Sequence, residues 1–114
     1  MAEPDGQHLE IYSFLLERFA GAENAAPRAA IIKSFNFFKQ KEIGDRFFRQ
    51  VVSDLVTIYK KAICTTPDSG YYVARTGKEL DAAVNHLRAI GAANFERAKA
   101  LAETEPLERQ ERLF

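Results

Sequence analysis

The spacing of the apolar residues changes in the middle of the chain, and this change constrains the fold more than any other feature of the sequence. Before residue 61 the apolar residues recur at three- and four-residue intervals, which is typical of amphipathic helices. Two short runs rich in β-branched and aromatic residues follow, at residues 62–66 and 71–74, with the turn-forming sequence Pro-Asp-Ser-Gly between them. This pattern predicts a β-hairpin. Because a single hairpin is only marginally stable alone, we expect its apolar face to pack on the preceding helices.

The first two helices are predicted from their apolar spacing and from the residues that interrupt it. The first runs from residue 7 to residue 19 and ends before Gly21. The second runs from about residue 26 to residue 35, with Asn24 as its N-cap and Pro27 in its first turn. We expect this second helix to bury Ala30, Ile31 and Phe35.

A third helix is predicted immediately before the hairpin. Residues 36–44 either extend the second helix or form a short helix of their own. The third helix begins at Arg46, with Asp45 as its cap, and continues to about Lys60. Its predicted inner face consists of Phe48, Val51, Val52, Leu55, Ile58 and Tyr59.

A long helix follows the hairpin, at about residues 77–102. Thr76 and Glu79 have the spacing of a capping box, and the many alanines favour a helix. The sequence therefore predicts a mainly α fold, a winged helix-turn-helix of three helices and a β-hairpin wing, with a long C-terminal helix. The predicted buried stripe of this last helix is Leu80, Val84, Leu87, Gly91, Phe95, Ala98 and Leu101.

The length of 114 residues suits one domain with one core. We assign residues 1–102 to the winged-helix domain, including its C-terminal helix, and residues 103–114 to a mobile acidic tail. No apolar run approaches the roughly 18 residues that a membrane-spanning helix needs, and residues 1–6 lack the pattern of a signal peptide. We therefore expect a cytoplasmic protein with no membrane partner, or one that acts in the cytoplasm of a host.

The outer face of the third helix carries a candidate DNA-binding surface. Arg46, Arg49, Gln50 and Ser53 have the spacing i, i+3, i+4 and i+7 and so share one stripe, opposite the apolar one. Arginine pairs bidentately with guanine and glutamine with adenine, and a helix that enters the major groove needs such donors. The alternative is an ordinary solvated helix face. Together with the hairpin that follows, the stripe favours binding to double-stranded DNA.

The distribution of charge supports a localised anion-binding face, although the formal net charge is zero. Residues 28–61 are mainly basic, whereas residues 1–26 and the tail from residue 103 are mainly acidic. A solvated surface of mixed charge gives the same pattern. The basic residues that we expect to contact phosphates are Lys39, Lys41, Lys60, Lys61 and Arg75.

Two stretches of the sequence carry a resemblance to a known class of protein. IGDRFFRQVVSDL at residues 43–55 resembles the recognition-helix region of small bacteriophage winged helix-turn-helix DNA-binding proteins. AICTTPDSGYYVA at residues 62–74 is similar to the wing of the same proteins, and the likeness extends to residue 101. The resemblance implies DNA binding in the control of phage replication or transcription. It also implies that Arg46, Arg49 and Gln50 face the DNA.

The last five residues, QERLF, look like the peptides that bind the bacterial sliding clamp. Such a peptide places a leucine and a phenylalanine in an apolar pocket while a glutamine forms a hydrogen bond nearby. The alternative is a tail that folds back on the domain. The candidate partner-binding residues are Gln110, Leu113 and Phe114.

No pattern in the sequence indicates catalysis or a metal site. His8 and His86 are isolated and Cys64 is the single cysteine. The sequence has no glycine-rich phosphate loop and no D-x-D pair of the kind that indicates a metal-dependent nuclease. We therefore expect no enzymatic activity, no cofactor and no metal.

Two further hypotheses stay open. The chain could be a protein-binding adaptor or inhibitor of a host replication or defence protein, acting through exposed aromatics such as Phe47 or through the tail. The long helix could also form a homodimer, since Gly91 and Ala98 permit a close approach.

Overall fold

The computed structural model describes residues 5–68 and 70–104, and in these ranges the fold is mainly helical with a small three-stranded antiparallel sheet. The arrangement is compatible with a helix-turn-helix that carries a wing. A short 3-10 helix at Ala22–Asn24 follows the first helix. The helices and strands are α1 (Gly6–Arg18), β1 (Ala26–Pro27), α2 (Arg28–Lys39), α3 (Asp45–Thr57), β2 (Ile63–Thr65), β3 (Gly70–Val73) and α4 (Gly77–Ala102).

Helix α1 lies where it was predicted, within one residue at each end. Asp5 caps it by accepting a hydrogen bond from the His8 amide at 2.9 Å. After the helix, Gly21 has a φ of +91°, a conformation that residues with a Cβ rarely adopt. The Gly21 amide donates to the Val73 carbonyl at 2.8 Å. This turn therefore joins the end of α1 to the sheet.

The predicted start of the second helix is wrong. Ala26 and Pro27 form strand β1, which pairs with β3, and α2 begins only at Arg28. Asn24 is not the N-cap, because its side-chain amide donates to the Ala20 carbonyl at 2.8 Å. Pro27 has no amide hydrogen, and an edge strand tolerates such a residue.

The stretch after residue 36 extends the second helix and does not form one of its own. Helix α2 ends at Lys39, since Gln40 adopts the left-handed conformation with a φ of 52°. The Asn36 side chain then donates to the Ile43 carbonyl and accepts from the Ile43 amide, both at 3.0 Å. These two bonds fix the turn that leads into α3.

Helix α3 has different ends from those predicted. Gly44 occupies the N-cap position, and Asp45 is the first helical residue. The helix ends at Thr57 because Lys60 adopts a left-handed conformation, with a φ of 58°. The Lys61 amide donates back into the last turn at 2.8 Å, as at many helix C-termini.

The predicted hairpin is confirmed, and a third strand joins it. Strands β2 and β3 pair antiparallel with Cys64 opposite Tyr72. Strand β1 pairs along the other edge of β3, so the strand order is β1-β3-β2. A strand of two residues cannot display a recognisable alternation, which explains why the sequence did not predict it.

The main core lies between the first three helices and the sheet. Of the predicted inner face of α3, Ile58 is exposed and Tyr59 is only half-buried, while the other members are buried. Ala30, predicted to be buried in α2, is exposed. The buried residues of this core are Ile11, Phe14, Leu15, Ile31, Phe35, Phe48, Val51, Val52, Leu55, Ile63 and Val73.

The predicted capping box at the start of α4 is formed in part. Thr76 Oγ1 accepts a hydrogen bond from the Glu79 amide at 3.1 Å. The Glu79 carboxylate accepts from the amides of Arg75 and Ala22, at 2.8 and 2.6 Å. These bonds lower the pKa of Glu79, the contact with the Ala22 amide contributing most. Glu79 therefore ties the start of α4 to the 3-10 helix.

The prediction of a buried stripe along α4 is wrong. The chain divides into two units, the first ending at Ala83 and the second beginning at Val84, and Ala83 is the one buried residue among those described in α4. A helical period shows which residues share a face and does not show what covers that face. Of the predicted stripe, Val84 is half-buried, and the exposed members are Leu80, Leu87, Gly91, Phe95, Ala98 and Leu101.

Among the residues that the structure describes, no helix combines the length and the apolar character that crossing a membrane requires.

Candidate nucleic-acid interface

The outer face of α3 presents the four residues predicted to read DNA. Arg46, Arg49, Gln50 and Ser53 are all exposed, and the opposite side of the same helix packs into the core. Helix α3 is therefore held by its apolar side while its polar side faces solvent. We call the exposed side of these four residues the α3 face.

Two arginines share one carboxylate at the start of α3. Arg49 Nε lies 2.9 Å from Asp45 Oδ2, and Arg28 Nε from α2 binds the other oxygen of the same group. Arg28 also reaches the Tyr71 hydroxyl at 3.5 Å, and the contacts with Tyr71 and Asp45 raise its pKa. The cluster keeps one net positive charge. Arg49, which was expected to face the DNA, is therefore partly neutralised by Asp45.

Arg46, unlike Arg49, has no carboxylate partner among the described residues. It forms no ion pair and no side-chain hydrogen bond with any residue between 5 and 104 that the structure describes. Its guanidinium group is exposed one residue after Asp45, in the first turn of the helix. Arg46 is therefore the cation of the α3 face that can bind an anion without first breaking an internal contact.

Gln50 belongs to a chain of polar side chains that leads to α1. Its Nε2 donates to Asp54 Oδ1 at 3.0 Å, and the other oxygen of Asp54 lies 3.0 Å from His8 Nε2. The second ring nitrogen of His8 lies 2.7 Å from Asp5 Oδ1. The His8 side chain is only 14% exposed, and its ring packs edge-on against Tyr59 at 5.7 Å between centroids.

This network shifts the pKa values of its members. The hydrogen bond to Asp54 is the main cause that raises the pKa of His8, and the bond to His8 is the main cause that lowers that of Asp54. The pKa of Asp5 is lowered chiefly because it accepts from the His8 amide. This network was not predictable from local sequence patterns, since His8 and Asp54 are 46 residues apart.

The lysines predicted to contact phosphates lie at both ends of α3. Lys39 and Lys41 are exposed at the end of α2 and in the turn before α3. Lys60 Nζ donates to the Thr57 carbonyl at 2.8 Å, and Lys61 Nζ lies 5.3 Å from the centre of the Tyr12 ring. The two ends of α3 are about 18 Å apart along the helix axis. The structure therefore does not gather the four lysines into one patch.

Arg75 is engaged elsewhere. Its Nη1 lies 2.8 Å from Glu23 Oε1, which belongs to the 3-10 helix after α1. This partner was not expected from the sequence, because the two residues are 52 positions apart. Arg75 is thus partly neutralised by its own chain.

Three exposed phenylalanine rings lie in the first unit of the chain. Phe37 and Phe38 at the end of α2 are 75% and 53% exposed and contact each other edge-on at 5.1 Å. The Arg18 guanidinium lies 4.0 Å from the centre of the Phe38 ring. Phe47 borders an open cavity of about 300 Å³ that Phe35, Lys41 and Ile43 also line. Of these three rings, only Phe47 was predicted from the sequence to be an exposed contact residue.

No family model, no curated protein and no solved structure matches this chain.

The predicted partner-binding tail cannot be compared with the structure. Gln110, Leu113 and Phe114 lie outside the described residues. Within residues 5–68 and 70–104, no group of three potential metal ligands occurs.

Proposed function

We propose that the chain is a winged helix-turn-helix protein that binds double-stranded DNA and catalyses no reaction. The α3 face enters the major groove, and the β2–β3 hairpin acts as the wing. The observation that carries the proposal is the exposed and uncompensated guanidinium group of Arg46 beside Arg49, Gln50 and Ser53. The role in phage replication or transcription control depends on the resemblance of residues 43–101 alone.

The order of the elements supports this proposal. Helices α2 and α3 are joined by a five-residue turn, residues 40–44, that the Asn36 side chain fixes. Strand β1 before α2 and the hairpin after α3 form one sheet. A helix that reads DNA must be held rigidly, and the buried side of α3 provides that support.

The electrostatic arrangement also supports the proposal. Helix α3 begins with the positive end of its dipole. Arg28 and Arg49 share the carboxylate of Asp45, and the exposed Arg46 lies in the same first turn of the helix. Lys39 and Lys41 precede this end and are exposed. A phosphate backbone would meet positive charge here, although the whole chain is formally neutral.

The test is a binding titration in which the chain is added to a fluorescently labelled random-sequence duplex. Binding is monitored by fluorescence anisotropy at several salt concentrations. Arg46→Ala removes one cation from the interface, so it is expected to weaken binding and to reduce the slope of log K against log salt by roughly 0.9, the value per phosphate charge neutralised. Arg49→Ala is expected to have a smaller effect, since Asp45 already neutralises part of that charge. Arg97→Ala, in the exposed second half of α4, is the matched control and leaves the slope unchanged.

Asp45→Asn sharpens the test because it acts in the opposite direction. The substitution releases both arginines that share the Asp45 carboxylate, so binding to the duplex is expected to tighten at low salt. Thermal unfolding of the variant controls for a loss of helix at the start of α3. The proposal is wrong if the native chain does not bind duplex at low salt, or if Arg46→Ala and Arg97→Ala behave alike.

A second candidate function is binding to a protein, and the exposed pair Phe37 and Phe38 favours it. Two adjacent exposed rings are typical of a contact surface for another protein. In this case a partner is captured from host lysate after nuclease treatment, and Phe37→Ser with Phe38→Ser abolishes the capture. Capture combined with no binding to duplex would replace the first proposal with this one.

A further inference from the structure

We propose that the exposed rings of Phe37 and Phe38 stack against unpaired bases of a single-stranded nucleic acid. The two side chains are 75% and 53% exposed, although they belong to a helix, α2, whose other phenylalanine, Phe35, is buried. Large apolar rings with this exposure indicate a contact surface. This surface lies on a different helix from the α3 face, so its role would add to the proposed binding of duplex DNA. We call it the ring surface, and its members are the two rings and the cations Arg18, Lys33, Lys39 and Lys41.

The charge around the rings is complementary to that of a polyanion. Residues 25–41, which include α2, contain four cations and no carboxylate. Lys33 is exposed one turn before Phe37, on the same side of the helix. Lys39 and Lys41 are exposed just after the rings. None of these three lysines forms an ion pair with a described residue, so all three are available to phosphate groups.

Arg18 of α1 completes the ring surface on the side of Phe38. Its guanidinium carbon lies 4.0 Å from the centre of the Phe38 ring and 5.2 Å from that of the buried Phe14. Arg18 forms no ion pair with a carboxylate of the described residues. Guanidinium planes stack on unpaired bases as aromatic rings do. Arg18 therefore holds Phe38 in place and offers a base a second flat group, together with a positive charge for its phosphate.

The combination of exposed rings and unpaired cations favours a single strand over a duplex. In a duplex the faces of each base are covered by the neighbouring base pairs, so a side-chain ring cannot stack on them without opening the helix. In a single strand these faces are accessible, and aromatic rings beside cations are the usual means of binding it. The planes of Phe37 and Phe38 are 87° apart, so one base cannot lie flat on both rings. We therefore expect two bases to be held, one by each ring.

The first test separates base stacking from the attraction of phosphates. The full chain is added to a fluorescently labelled oligothymidylate strand or to a strand of the same length without bases, and binding is monitored by anisotropy. The strand with bases is expected to bind more tightly. Phe37→Leu keeps an apolar side chain that favours the helix but removes the ring, so it is expected to weaken this binding by about tenfold. Phe95→Leu, at a ring of α4 that is 70% exposed, is the matched control and leaves binding unchanged.

A second test observes the stacking itself. The chain contains no tryptophan, so Phe37→Trp introduces a single indole as a reporter. A base that stacks on this indole is expected to quench its fluorescence, whereas the strand without bases is expected to leave it almost unchanged. Phe95→Trp is the control and shows no quenching. Oligouridylate in place of oligothymidylate distinguishes the two sources of unpaired bases, since the strand that binds more tightly identifies RNA or DNA.

The outcomes for the ring surface and for the α3 face are distinguishable. Arg46→Ala is expected to weaken binding to the duplex and to leave the quenching of the Phe37→Trp indole by the strand unchanged. Phe37→Leu is expected to do the reverse. The stacking proposal is overturned if neither strand binds at low salt, if both strands bind equally tightly, or if Phe37→Leu and Phe95→Leu behave alike. Any of these results would leave the rings as a contact surface for a protein.

Discussion

His8 is the residue whose environment differs most from what its sequence position indicates. Both ring nitrogens face carboxylates, Asp54 at 3.0 Å and Asp5 at 2.7 Å, and the side chain is largely covered. The charged imidazolium donates from both nitrogens and so satisfies both partners. Protonated His8 therefore links the start of α1 to the last turns of α3.

The free energy of unfolding is expected to depend on pH through this network. Because the pKa of His8 is raised by folding, its contribution is fully present below about 6.5, the ordinary histidine value, and is lost as the pH rises through the folded pKa. The pKa of Asp54 and of Asp5 is lowered, so their contribution is present above about 4 and is lost as the pH falls through their folded values. The network therefore contributes most to the free energy of unfolding between about pH 4 and about pH 6.5.

Urea unfolding at a series of pH values measures this dependence. His8→Gln is expected to remove the loss of stability on the alkaline side, and His86→Gln, the matched control at the other histidine, keeps it. If the His8→Gln and native profiles run parallel from pH 5 to pH 8, the protonation of His8 does not contribute to stability.

At the scale of the elements, Phe48 joins the helix that carries the candidate site to the sheet. Its side chain is buried, and its ring packs against Tyr71 of β3 at 5.7 Å between centroids. Phe48→Ala is expected to lower the free energy of unfolding by about 3–5 kcal/mol, as at other buried aromatic positions. The neighbouring Phe47 is exposed, and Phe47→Ala is expected to cost less than about 1 kcal/mol. Chemical denaturation measures both values, and equal losses would contradict the packing of α3.

The elements with strong local patterns were predictable from the sequence. The helix α1, the buried side of α3 and the β2–β3 hairpin each have a clear apolar period or turn. Strand β1 was not predictable, since its two residues acquire their conformation by pairing with β3, more than 40 positions away. The stripe of α4 was identified as a face, but the assumption that the chain itself covers it was wrong.

The candidate site was predictable in its exposure and not in its ion pairs. Helical spacing alone places Arg46, Arg49 and Gln50 on one exposed face. The partners of Arg28 and Arg75 lie 17 and 52 positions away, and such contacts leave no local pattern in a sequence. These contacts determine which cations are already neutralised by the chain itself, and so which residue we expect to contribute most to the proposed DNA binding.

At the scale of the whole molecule, the formal net charge is zero, but the cations differ in whether the chain itself already pairs with them. Arg49 and Arg75 are paired with carboxylates, and Lys60 and Lys61 contact a carbonyl and a ring. The proposed function therefore depends on a small set of cations near the start of α3 and not on a general basic character.

The most direct measurement is a titration of isotopically labelled chain with a random-sequence duplex, followed by NMR of the backbone amides. The account predicts salt-dependent shifts at residues 45–53 and in the hairpin, with residues 84–102 almost unaffected. Shifts confined to α4 or to the Phe37 and Phe38 surface, or no shifts at low salt, would contradict the claim that α3 binds DNA.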